Sequence, residues 1–158
     1  MTENSNLVEI TGLLGFSSKR RVIVGFAPAR LLHNLSFADV LDEDSGIGYQ
    51  RRFNPQHSLD FRKYIQTEGS STIPLAFNLR SESEEFWNVR ELSNSIAIVE
   101  VNLDGGRVLS QVDCQHRLGY LNDLDVNLPF MFYIGLSRRE ELETFNVINS
   151  KAKGLSSS

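Results

Sequence analysis

The sequence predicts a domain of the α/β or α+β class, with a mixed sheet flanked by helices. Apolar segments rich in β-branched residues recur along the chain and are interleaved with segments of helical spacing. The 158 residues suit one domain of ordinary size. The hydrophobic content of 41% and the charged content of 23% are typical of a chain that builds a core. We therefore expect one domain over residues 1–150, with residues 151–158 as a flexible tail or a truncated continuation.

Six segments have the composition and alternation of strands. They cover residues 6–16, 21–27, 73–80, 95–101, 107–112 and 128–134. Asp104 and Gly105 have turn chemistry, which predicts that the fourth and fifth of these strands pair as a hairpin. Residues 81–94 are polar and acidic, and we expect them to form an excursion on the surface.

Four segments are predicted to be helical. A short helix is expected over residues 29–34, and Asn54 and Pro55 suit the N-cap and first position of the next helix. A short helix is expected at about residues 115–122. Residues 137–140 read Ser-Arg-Arg-Glu, a capping box that should open a final helix ending near Asn149.

Composition narrows the classes of function. A net charge of -4 and a pI near 5.4 argue against a basic surface that coats DNA without regard to sequence, although a local basic site remains compatible. The single cysteine excludes an internal disulfide and a Cys-rich zinc site, and we predict no metal site. The polar N-terminus and short apolar runs indicate no secretory signal and no membrane span, so a cytoplasmic location is expected.

Residues 112–117, Val-Asp-Cys-Gln-His-Arg, carry the chemically informative pattern. A strand should end at Val112 and a helix should begin two or three residues later, which would present free backbone N–H groups to an anion. His116 and Arg117 would lie in the first turn, where a cation is unfavourable unless an anion lies beside it. In the alternative interpretation, Asp113 caps the helix while His116 and Arg117 pair with carboxylates such as Asp123.

Arg51 and Arg52 form a second basic element, directly before the helix that starts at Pro55. Guanidinium groups bind phosphate oxygens through two parallel hydrogen bonds, so this pair could hold phosphate at a helix N-terminus. An exposed basic loop is the alternative interpretation.

Three segments together resemble a known family. Residues 113–117 are similar to the Asp-Gly-Gln-His-Arg signature of the DGQHR domain. Residues 49–65 resemble the family's arginine-bearing loop and the helix that ends in a Tyr-Ile pair. Residues 145–149, Phe-Asn-Val-Ile-Asn, resemble its Phe-x-x-Ile-Asn element. The resemblance spans about residues 20–150, in the family's order.

The resemblance implies a ParB/sulfiredoxin-like fold and a ligand that carries phosphate, either a nucleoside triphosphate or DNA. Its DndB-like members belong to DNA phosphorothioation and other DNA-modification and defence systems, which implies such proteins, and a second copy of the chain, as partners. The residues that it assigns to phosphate, nucleotide or DNA are Arg51, Arg52, Asp113, Cys114, Gln115, His116, Arg117 and Asn149.

The chain departs from the family in two respects. Cys114 replaces the glycine of the signature, and glycine there would permit a positive φ and a close approach of backbone to phosphate. A cysteine at a helix N-terminus could also have a lowered pKa, although a small side chain that fills the glycine position is the simpler interpretation. The chain also ends nine residues after Asn149, where DndB-like members continue, so we expect either a minimal version of the domain or a fragment whose missing part would carry dimerisation or much of the DNA contact.

Three functions follow as hypotheses. The first is a DNA-binding regulator or accessory factor that holds phosphate in this cleft. The second is an enzyme that hydrolyses a nucleoside triphosphate or a phosphodiester, with His116 as general acid or base and with Asp113 or a nearby acid holding a metal. The third is a scaffold that has lost its ligand, which the change at Cys114 would explain.

Overall fold

A computed structural model describes residues 6–40, 44–50 and 52–156 of the chain. Its strands are β1 (Leu7–Ser17), β2 (Arg20–Pro28), β3 (Ser36–Phe37), β4 (Leu75–Leu79), β5 (Trp87–Glu91), β6 (Ile96–Asn102), β7 (Leu109–Asp113) and β8 (Asn127–Ile134). The α-helices are α1 (Ala29–Leu35), α2 (Pro55–Ile65), α3 (Gln115–Leu118) and α4 (Arg138–Ser156). Two short 3₁₀ helices cover Ser81–Phe86 and Leu103–Gly105.

The eight strands form one mixed sheet in the order β3-β7-β4-β8-β2-β1-β6-β5. The pairs β3–β7 and β4–β8 are parallel, and the other neighbours are antiparallel. A mixed sheet with helices between its strands confirms the predicted α/β class. The parallel pairs need long connections, and the chain supplies them through the segments that carry α2 and α3.

Two apolar clusters bury opposite faces of the sheet. The larger cluster joins α1, α2 and α3 to one face, with Phe77, Phe130 and Phe132 at its centre. The smaller cluster places Phe145 and Ile148 of α4 against the other face. All five residues of β4 are buried, because helices cover this strand from both sides. The strand predicted over residues 73–80 is therefore a central strand with two buried faces.

Two predictions about connections are wrong. Asp104 and Gly105 lie in a 3₁₀ helix, and β6 and β7 are separated by four strands instead of pairing as a hairpin. Residues 81–94, which we expected to form a surface excursion, include the edge strand β5. β5 pairs with β6 in an antiparallel register. Charged and polar residues are typical of an edge strand, which is paired on one side alone. These residues are the reason that the sequence does not reveal β5 as a strand.

Capping residues set the start of two helices as predicted. The side-chain oxygen of Asn54 accepts hydrogen bonds from the backbone N–H groups of Gln56, at 3.1 Å, and His57, at 3.3 Å. Ser137 and Glu140 exchange the two hydrogen bonds of a capping box, at 2.9 and 3.1 Å. α4 continues to Ser156, beyond the predicted end near Asn149. None of the helices in the described residues is long and apolar enough to span a membrane.

The face that α4 covers is exposed further along β1, β2 and β6. There Leu13, Val24 and Phe26 point away from the larger cluster, and Phe26 is 70% exposed. Together with Ile96 and Pro129 they line a shallow apolar groove of about 560 Å³. Burial on both faces is therefore centred on β4, β7 and β8, the part of the sheet that carries the candidate site.

Gly119 allows α2 and α3 to pack closely. A Cβ atom at this position would overlap the ring of Phe53 and would lie 2.8 Å from the hydroxyl oxygen of Ser58. Ser58 in turn donates a hydrogen bond of 2.5 Å to the carbonyl of His116. This close contact, and not the backbone conformation, requires glycine at position 119, because a φ of -52° is accessible to any residue.

We predict that Gly119→Ala lowers the free energy of unfolding by about 1–3 kcal/mol, because the added methyl group overpacks the α2–α3 contact. Gly15→Ala is the matched control, since a Cβ there meets nothing within 4 Å, and it should change stability by less than about 1 kcal/mol. Urea unfolding of both variants measures the difference. Equal losses would show that Gly119 is not a packing position.

Candidate functional site

A cleft of about 460 Å³ lies at the end of β7, between α3 and α4. Its walls come from four separate parts of the chain. The lining residues are Tyr49, Gln50, His57, Val112, Asp113, Cys114, Gln115, His116, Arg117, Phe145, Asn146 and Asn149. The volume is in the range of about 300–1,000 Å³ that is typical of small-molecule sites.

The wall formed by Tyr49 and Gln50 is held by backbone contacts. The carbonyl of Asp39 accepts hydrogen bonds from the N–H groups of Tyr49, at 2.8 Å, and Gln50, at 3.0 Å. Gly48 precedes them with a φ of +89°, and a Cβ there would overlap the carbonyl of Val40. Only glycine permits this turn, so the loop approaches its own start closely and presents Tyr49 to the cleft.

Beneath Tyr49 lies a fully buried carboxylate, that of Glu141 on α4. It accepts five hydrogen bonds, from Tyr49 at 2.6 Å, Ser110 at 2.7 Å, Asn78 at 2.8 Å, and two nitrogens of Arg80 at 2.7 and 3.0 Å. The donors come from β4, β7 and the loop that carries Tyr49. One side chain of α4 therefore fixes the helix to the sheet and fixes the adjoining wall of the cleft, which Tyr49 forms.

Arg80 neutralises this carboxylate from within the core. Its guanidinium is 5% exposed, lies 2.6 Å from the carboxylate of Asp39 and stacks over the ring of Phe37 at 5.2 Å. Burial alone would raise the pKa of Glu141, but the hydrogen bonds from Arg80 and Tyr49 lower it below its usual value. Burial and the contact with Glu141 raise the pKa of the Tyr49 hydroxyl. Both groups therefore hold their ordinary charge at neutral pH.

Arg117 lines the cleft, but its terminal nitrogens already have protein partners. Nη1 donates to the hydroxyl of Thr72 at 2.9 Å and to the carbonyl of Ile73 at 2.7 Å. Nη2 donates to the carbonyl of Asp113 at 2.5 Å and lies 3.4 Å from its carboxylate. The partner of Arg117 is Asp113, whereas Asp123 pairs with Arg62. Arg117 thus fastens the segment before β4 to the end of β7.

α3, at whose start the sequence predicts an anion site, is only one turn long. α3 ends at Leu118 instead of about residue 122, so few aligned peptide dipoles support it. Cys114, not Asp113, occupies the N-cap position, and its φ of -165° is extended backbone that any residue adopts. A cysteine therefore replaces the family's glycine without strain.

The thiol of Cys114 points into the core, 3.6 Å from the carbonyl oxygen of Ala76. Burial raises the pKa of the thiol well above its usual value, and the positive charge of Arg117 offsets this only in part. A raised pKa leaves the sulfur protonated and unreactive at neutral pH. Cys114 therefore fills space beneath the cleft, as the simpler interpretation of the sequence predicts.

His116 lies between two rings at the side of the cleft. It stacks on Phe53 at 5.9 Å and meets His57 edge-on at 5.5 Å. Its Nε2 atom is buried and, among the described residues, has no hydrogen-bond partner. The carboxylates that the alternative interpretation assigned to His116 are not its partners in this arrangement.

Amide side chains form part of the polar lining of the cleft. Gln115 is only 9% exposed, yet its amide makes no hydrogen bond to any described residue. The amide of Asn146, on the exposed side of α4, has no such partner either within the described ranges. Asn149 uses its Nδ2 to donate to the carbonyl of Phe145 at 2.8 Å.

The structure brings most of the predicted site residues together. Asp113, Cys114, Gln115, His116 and Arg117 line the cleft, and Asn149 faces them from α4. Arg52 is exposed and is not part of the lining, and Arg51 lies outside the described residues. The wall opposite Arg117 is formed by Tyr49 and Gln50, the two residues that precede this arginine pair.

No protein-family model, curated protein or solved structure matches this chain. The chemistry of the cleft must therefore be argued from its own geometry. In the described part of the chain, no three His, Cys, Asp or Glu side chains come close enough together to hold a metal ion.

Sequence analysis missed the buried polar network. Asn78 lies on β4 and Arg80 directly follows this strand, two residues further on, so both side chains reach the same side of an otherwise apolar strand. Two polar residues at that spacing in a central strand signal a buried polar partner, because an unpaired charge is costly in the core. That partner, Glu141, follows the capping box directly and reads in the sequence as a solvated first-turn acid.

We predict that Glu141→Gln lowers the free energy of unfolding at pH 7 by about 3 kcal/mol, because it leaves the charge of Arg80 only partly compensated. The folded-state pKa of Glu141 lies below the usual 4.5, so its contribution is present above that pH. The contribution is lost as the pH falls through the folded-state pKa, and the difference between wild type and variant should shrink there. Urea unfolding at several pH values measures it.

Glu143→Gln is the matched control, since this carboxylate on the same helix is 54% exposed and pairs with Arg20, at 3.9 Å, and Arg139, at 3.5 Å. It should cost less than about 1 kcal/mol. Equal effects of the two changes at pH 7 would contradict a special role for Glu141.

Proposed function

We propose that the protein is a binding module that holds a nucleotide, free or as part of DNA, in this cleft. In this proposal it is a DGQHR-type regulator or accessory factor of a DNA-modification or defence system. The observation that carries the proposal is the convergence of three distant segments on one cavity. Residues 49–50, 113–117 and 145–149, which carry the family resemblance, all contribute to its lining.

The state of the titratable groups favours binding over catalysis. Burial keeps the Cys114 thiol protonated, and Asp113 is paired with Arg117. A nucleophile or a general base needs a reactive group that can reach the substrate, and these two groups are directed at the protein instead. The open amides of Gln115 and Asn146 can hold a ligand but cannot transfer a proton at neutral pH.

An enzyme that cleaves a nucleoside triphosphate or a phosphodiester is the second candidate. It is supported by one observation, the two imidazoles of His57 and His116 in contact at the edge of the cleft. Imidazole titrates near neutral pH and is the usual general acid or base.

Nucleotide binding predicts a ligand-dependent rise in thermal stability. A ligand at 100 times its Kd should stabilise the folded protein by about 2.7 kcal/mol. We expect this rise with nucleoside triphosphates or short DNA, and we expect Asn146→Ala to reduce it, because the change removes an open amide from the lining. Asn34→Ala, at an exposed asparagine on α1 outside the lining, is the control. No stabilisation by any nucleotide or DNA would refute the proposal.

His116→Phe separates binding from catalysis. The ring should still stack on Phe53, and removal of the buried unpartnered Nε2 should raise the free energy of unfolding by about 1 kcal/mol. The proposal predicts no release of phosphate from nucleoside triphosphates by either wild type or variant. Turnover by the wild type that is lost in the folded variant would establish the enzyme instead.

A further inference from the structure

The inner part of the cleft is polar but carries no unbalanced charge. Arg117 and Asp113 are the charged residues in its lining within the described ranges, and they pair with each other. Both terminal nitrogens of Arg117 donate to protein oxygens. A phosphate group in this space would be removed from water without a cation to compensate it, which is costly. The interior therefore suits a neutral group.

The interior also contains an unsatisfied neutral hydrogen-bonding group. Gln115 is about nine-tenths buried, and its amide has no partner among the described residues. An amide presents a donor and an acceptor side by side, and the edge of a nucleobase presents the complementary pair. The amide of Gln115 reaches the open cleft and has no partner among the described residues, so it can pair with a ligand that presents such an edge.

Aromatic and apolar residues share the lining with this amide. Tyr49 and Phe145 meet edge-on with ring centroids 5.0 Å apart, and Val112 lies in the same lining. Proteins that bind single bases combine aromatic or apolar faces with hydrogen bonds to the edge of the base. The lining provides both features within one cavity of about 460 Å³.

From these observations we infer that the cleft is a nucleobase pocket. Gln115 reads the edge of the base inside it, and any phosphate stays at the mouth. This inference rests on the proposed function and specifies which part of the nucleotide is buried. The base can come from a free nucleotide or from an unpaired nucleotide of DNA, and the chemistry of the pocket is the same for both. A base taken from a duplex must first leave the stack.

Calorimetric titration of the full chain tests the pocket. The probes are the common nucleosides, their triphosphates, inorganic tripolyphosphate, and one DNA oligonucleotide as single strand and as duplex. We expect at least one nucleoside to bind, with an affinity that is nearly independent of salt, and we expect tripolyphosphate not to displace it. Tighter binding of the single strand than of the mononucleotide would identify DNA as the source of the base, and the reverse would identify free nucleotide.

Gln115→Ala should weaken nucleoside binding about tenfold, which corresponds to the loss of one or two buried hydrogen bonds. Gln66→Ala is the matched control, because this glutamine is exposed at the end of α2 and is outside the lining. Asn146→Ala provides a second variant at an exposed position in case Gln115→Ala fails to fold, and it should also weaken nucleoside binding.

The outcomes separate the two claims. Binding of tripolyphosphate and triphosphates without any binding of nucleosides would overturn the base pocket and leave the proposed function intact. Nucleoside binding that Gln115→Ala and Asn146→Ala leave unchanged would also overturn the pocket. No binding of nucleosides, triphosphates or DNA would overturn both claims.

Discussion

The carboxylate of Glu141 is the interaction on which the arrangement of the cleft depends. It is fully buried, and it accepts hydrogen bonds from β4, β7 and the loop that carries Tyr49. Taking a carboxylate out of water is costly, and Arg80 together with the hydrogen bonds offsets that cost. A structure that left any of these partners out would bury an unpaired charge. The network therefore specifies one position of α4 on the sheet.

That position determines the chemistry of the cleft. α4 supplies one wall, and Tyr49, anchored to the same carboxylate and packed on Phe145 of that helix, supplies the adjoining wall. The charges of the protein are used internally, in the pairs Arg80–Glu141 and Arg117–Asp113. What remains open to a ligand is a set of amides and rings. The site thus differs from the arginine-lined phosphate site that the motif alone suggests.

Sequence patterns predicted correctly those parts of the fold that depend on interactions between neighbouring residues. The caps at Asn54 and Ser137 are set by neighbouring residues, and both helices begin as expected. β6 pairs instead with the preceding strand β5 and with the distant strand β1, so the turn at Asp104 was misread as a hairpin. The cleft was located because residues 113–117 follow a strand directly. The role of Glu141 was missed because its partners lie 31 to 92 residues away.

A double-mutant cycle between Tyr49 and Glu141 tests the central claim most directly. The free energies of unfolding of Tyr49→Phe, Glu141→Gln and the double variant are compared with that of the wild type. If the carboxylate holds both walls, the effects of the two changes should be non-additive by about 1 kcal/mol or more. Effects that add to within about 0.5 kcal/mol would contradict the claim that one buried carboxylate organises the cleft.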